Sequence, residues 1–118
     1  MKTSIVVKTQ LEALHCWPDV PQDHPSAYLA NLHRHVFQIE LYFTVSHSNR
    51  DLEFIAIKHE VDDLLAANFD KDNFYGISNL KNSSCEYLAE WLLNIFLYRN
   101  CYKVIVLEDG EMGAIVEA

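Results

Sequence analysis

Three histidines are spaced so that their chemistry can be pooled. His15 ends the segment "SIVVKTQLEALH", and His33 and His35 open the segment "HRHVFQIELYFT". Neutral imidazole is a common zinc ligand, and three of them with a fourth position left open make a catalytic zinc site. The bland alternative is that each ring caps an apolar face with one N–H bonded to backbone. One histidine would fit that alternative well; three at one end of a sheet fit a metal better. His24, in the proline-rich stretch "CWPDVPQDHPSAYLAN", is a reserve ligand or acid/base. His47 and His59 read as turn and helix-surface residues.

The two segments read as strands. Successive strand side chains point to opposite faces. From His33 the odd positions run His33, His35, Phe37, Ile39, Leu41, Phe43; the even positions are mostly polar. From Ile5 the odd positions run Ile5, Val7, Thr9, Leu11, Ala13, His15. Each apolar face therefore ends in imidazole, and antiparallel pairing brings the three rings to one rim.

The rest of the chain supplies cover for that face. Strands are expected at about residues 3 to 15 and 33 to 46, with a proline-broken loop between them. "DLEFIAIKHEVDDLLAANF" carries an apolar stripe of Phe54, Ile57, Val61, Leu64 and Leu65, with Asp51 as N-cap. "DKDNFYGISNLKN" reads as a loop. A second helix follows, with Leu88, Trp91, Leu92 and Ile95 as its stripe and Ser83 and Glu86 as a capping box. "CYKVIVLEDGEMGAIVEA" reads as two strands about an Asp109-Gly110 turn. The expected fold class is α+β, one domain over residues 1–118: a four-stranded antiparallel sheet with two helices on one face, in the order ββααββ. Its edge strands are open to subunit pairing.

Composition narrows the function. The chain has 118 residues, 9 Lys plus Arg, 17 Asp plus Glu and a net charge of −8. No nucleic-acid partner is expected, because phosphate contacts need clustered cations. The longest apolar run, "WLLNIFLY", is too short to cross a bilayer, so no membrane partner is expected. The three cysteines, Cys16, Cys85 and Cys101, form no C-x-x-C pair and their number is odd. Reduced thiols in a cytoplasmic protein are expected, and the N-terminus lacks a signal-peptide pattern.

The histidine of "LEALH", the pair in "LHRH", the run "NSSCEYLAEWLL" and the strand end "VIVLEDG" together resemble 6-pyruvoyl-tetrahydropterin synthase. They equally resemble its bacterial relative, the 6-carboxy-tetrahydropterin synthase of queuosine biosynthesis. The resemblance implies the T-fold and a zinc-dependent lyase acting on a reduced pterin such as dihydroneopterin triphosphate. It implies assembly as trimers or hexamers with active sites between subunits. On this likeness His15, His33 and His35 bind zinc, Glu108 anchors the pterin ring with help from Ser84, and Glu86 stands at the family's helix-start glutamate. Glu108 reads equally as a strand-end carboxylate beside a turn, and Glu86 as a cap.

The departures lie in the catalytic base. No cysteine precedes the histidine pair, Asp70-Lys71 stands where the family has Asp-His, and Arg34 replaces the glycine between the zinc histidines. Arg34, on the opposite strand face, reads as a surface or subunit-contact residue. Cys85 lies in the first turn of the second helix, where the dipole lowers a thiol pKa. Asp70, Cys85 and His24 are the candidate bases. Two alternatives follow: a different activity on a pterin- or purine-like ring with the same zinc scaffold, or a non-catalytic pterin-binding protein.

Overall fold

In the computed structural model, which describes residues 1–118, both alternating segments are long strands. β1 spans Ser4–His15 and β2 spans His33–Thr44. They are followed by α1 (Phe54–Asn68), β3 (Ser78–Asn79), α2 (Cys85–Phe96), β4 (Cys101–Glu108) and β5 (Met112–Glu117). Short 3-10 turns lie at Ala27–Ala30 and Leu97–Arg99.

The sheet has five strands in the order β3-β1-β2-β4-β5, not the expected four. The four long strands are antiparallel to their neighbours, as expected, but β3 runs parallel to β1 beside Ala13 and Leu14. The stretch expected to be plain loop turns back at Gly76 (φ 72°) and lies along the end of β1. Leu80 N donates to Leu14 O and Cys16 N donates to Lys81 O, each at 2.8 Å. Two residues are too few to carry a period, so this strand has no signature in the sequence.

One core holds the layers together. The odd residues Phe37, Ile39, Leu41 and Phe43 of β2 are fully buried against Ile57, Val61 and Leu65 of α1 and Leu88, Leu92 and Phe96 of α2. Both helices thus cover the apolar face that the alternation marked out. Their starts differ from the expected caps. Glu53, not Asp51, caps α1, and its carboxylate accepts from Ile55 N and Ala56 N. Asp51 instead accepts from Ser46 N and Oγ, which ties the preceding turn. Ser84, one residue later than expected, caps α2 by accepting from Tyr87 N at 3.1 Å. No helix is long and apolar enough to cross a membrane.

Candidate metal centre

β1 and β2 pair so that His15 lies opposite His33 and Ala13 opposite His35. The ring centroids are 4.6 Å apart for His15 and His33, 5.2 Å for His15 and His35, and 5.0 Å for His33 and His35. One nitrogen from each ring lies within 4.8 Å of the other two. His15 is 7% exposed; the other two are half-buried at the rim of the core. Phe37, the next residue on this face, packs edge-on against His15 and His35 and forms the floor.

Every ring is held by its Nδ1. His15 Nδ1 meets Ser83 O at 2.9 Å, His33 Nδ1 meets Asn31 O at 2.8 Å, and His35 Nδ1 meets the Asp109 carboxylate at 2.7 Å. A ring nitrogen that faces only an oxygen acceptor must carry the proton. In the neutral rings the Nε2 atoms therefore keep their lone pairs, as metal ligands need. His15 Nε2 is buried and has no hydrogen-bond partner, which is costly unless something else occupies its lone pair. Burial pushes the His15 pKa below its ordinary value of 6.5, against the opposing pull of the Ser83 carbonyl and the Glu108 charge. A neutral, anchored, orphaned imidazole between two others suits a zinc-type cation.

The β4–β5 turn builds the other wall. Asp109 (φ 55°) and Gly110 (φ 74°) have the left-handed backbone of a tight hairpin, so the expected Asp-Gly turn is present. That backbone brings the Asp109 carboxylate over β2, where one oxygen accepts from Val36 N at 2.9 Å and the other from His35. The Val36 N–H, then the His35 ring, hold the Asp109 pKa below the usual carboxylate value of 3.8. Sequence reasoning missed Asp109 as a site residue; its only signal was the turn. Glu108, the last residue of β4, shares the inward face with Val104 and Val106. Its oxygens lie 3.3 Å from His15 Nε2 and 3.4 Å from His35 Nε2, without hydrogen-bond alignment.

Cys85 is buried at the start of α2, and its thiol donates to Glu108 at 3.8 Å. Burial first, then the charges of Glu108 and Glu86, push the thiol up to about 12. At neutral pH it is a proton-bearing group beside a carboxylate, despite the helix start. Ser84 and Glu86 line the same cleft, of about 480 Å³, together with Cys16, Trp17 and Met112. β1 ends at His15, so strand parity does not set the direction of Cys16, which reaches the cleft.

The remaining candidates lie outside this cleft. Asp70 is exposed in a neighbouring depression with Asn79, Lys81 and Trp91, which adjoins the cleft through Asn82 and Ser83. His24 sits behind Trp17, with ring centroids 5.7 Å apart, and its Nδ1 accepts from Ser26 N. Arg34 pairs with Glu12 at 3.1 Å on the far face of the sheet.

No family model matches the chain, and no curated protein does. The crystal structure of the uncharacterized protein WS1659 from Wolinella succinogenes aligns with 99% of this chain and 98% of its own, with a TM-score of 0.70 and 14% sequence identity. At that identity the likeness is one of fold alone.

Proposed function

We propose that this protein is a zinc-dependent lyase of the pterin synthase type on a T-fold, acting on a reduced pterin such as dihydroneopterin triphosphate. The observation that carries the reading is the common anchoring of three imidazoles through Nδ1, with one nitrogen of each ring within 4.8 Å of the other two. His15, His33 and His35 hold the ion. Bound zinc supplies Lewis-acid polarisation of a substrate oxygen, which acidifies the adjacent C–H. Glu108, at the inner wall of the cleft, accepts N–H groups of the ring. Cys85 keeps its proton and donates a hydrogen bond to Glu108. A carboxylate or imidazole base then has to reach the cleft from outside, and Asp70 and His24 of a neighbouring subunit are the candidates. A trimer or hexamer meets that need. β3 covers β1 only at Ala13 and Leu14, which leaves the rest of that edge free, and β5 forms the other edge.

A second reading has its own support. Within one chain neither Asp70 nor His24 lines the cleft. A pterin-binding protein without turnover, or one acting on another pterin- or purine-like ring, needs only the metal and the wall residues.

The test combines metal content with turnover. Purified protein carrying one zinc per chain should convert dihydroneopterin triphosphate, and His33→Ala should abolish both. Tight pterin binding without conversion selects the second reading. Failure to retain zinc defeats both readings.

A further inference from the structure

We propose that Glu108 is a fourth metal ligand: in the substrate-free protein its carboxylate closes the position left open by His15, His33 and His35, and substrate must displace it. This rests on the metal-binding part of the proposed function and departs from a Glu108 that only anchors a ring.

Distance is the first argument. With bonds of about 2.0 to 2.1 Å, two ligand atoms on a zinc tetrahedron lie about 3.3 to 3.4 Å apart. Glu108 Oε1 lies 3.3 Å from His15 Nε2, and its other oxygen, Oε2, lies 3.4 Å from His35 Nε2. Each oxygen thus stands at the length of a tetrahedral edge from one ring nitrogen, so either can serve as the ligand atom.

The second argument is the character of the facing atoms. His15 Nε2 and His35 Nε2 carry lone pairs in the neutral rings, because Nδ1 holds the proton against Ser83 O and against Asp109. Carboxylate oxygens also carry lone pairs. Such atoms repel at this range unless a positive centre lies between them. A proton would do so through a straight N–H···O bond, but His15 Nε2 makes none. A cation shared by both groups meets the requirement.

The third argument is support. Glu108 follows the buried Val104 and Val106 on a strand, so its backbone cannot drift. The Cys85 thiol donates to its Oε1 at 3.8 Å, as an outer partner does for a ligating carboxylate. Asp109, the next residue, holds His35. One strand end thus furnishes a ligand and the orienter of another ligand.

The experiment uses the full chain loaded with cobalt(II), whose visible spectrum reports its ligands, and azide as a probe of an open position. Azide should change the spectrum of Glu108→Gln at a concentration at least tenfold below that needed for the wild type. Glu108→Gln should also hold zinc at least about 10-fold more weakly in competition with a chromophoric chelator, no less than the loss of an outer partner costs. Glu108→Asp, which retains the charge but withdraws it by one methylene, should shift the azide response in the same direction and guards against misfolding of the first variant. Identical azide response and zinc affinity in wild type and both variants would overturn the assignment. A thiolate-to-cobalt charge-transfer band that vanishes in Cys85→Ser would overturn it too, by giving the fourth position to sulfur. Wild-type protein that takes up neither cobalt nor zinc would sink the metal reading itself, a result distinct from the other two.

Discussion

The two ends of the long β1–β2 pair both carry histidine beside carboxylate, yet they are built for different ends. At one end His15, His33 and His35 present Nδ1 to oxygen acceptors. At the other, His47 Nδ1 accepts from Asn49 N at 3.2 Å, and its Nε2 lies 3.6 Å from Asp51. The neutral His47 ring must therefore carry its proton on Nε2. His24, whose Nδ1 accepts from Ser26 N, is wired the same way. The partner of Nδ1, more than the presence of imidazole, divides rings that offer a lone pair outward from rings that offer a proton.

Breaking that contrast should have its largest effect at the ligands. His15→Ala and His33→Ala should lose stoichiometric zinc in metal analysis after dialysis, whereas His24→Ala and His47→Ala should keep it. Next comes the orienter. Asp109→Asn should weaken zinc binding about 10- to 100-fold in chelator competition, the usual cost of losing an outer partner. Asp51→Asn at the opposite end should leave it unchanged.

Acid should separate the ends as well. The lowered His15 pKa means that the unfolded chain binds a proton there more readily than the folded one. In chelator-treated protein that contribution is whole above about pH 6.5 and is lost as the pH falls below it. Asp51 is shifted down from 3.8, chiefly by the Ser46 N–H, so its contribution persists until the pH drops below that value. Hydrogen exchange at stepped pH should show the histidine rim losing protection before the Ser46 turn. The smallest effect belongs to the helix starts. Ser84→Ala and Glu53→Ala should each cost about 0.5 to 2 kcal/mol in denaturant unfolding, one near the site and one far from it.

Period-2 patterning made the histidine rim legible, because strand parity and antiparallel pairing leave few choices for His15, His33 and His35. The helices were legible through a different period, the four-residue spacing of Ile57, Val61 and Leu65 and of Leu88 and Leu92. What escaped depends on atoms brought together from distant parts of the chain. Asp109 acts on His35 only because a left-handed turn aims it back across β4. Cys85 looked activated by its helix start, but the contact with Glu108 and the burial that reverse this come from tertiary packing. The caps were misplaced by one or two residues because Asp51 and Glu53, like Ser83 and Ser84, are chemically interchangeable in a sequence. The parallel β3 has no pattern to read at all.

The chain from Cys16 to Leu32 that joins β1 to β2 is long and winding, so unlike a two-residue hairpin it cannot dictate how the strands align. A slip of one position would turn His33 and His35 away from His15 and scatter the site. Any ion held by the three rings would then reward only the in-phase hairpin, so the same atoms that serve chemistry would also proofread folding.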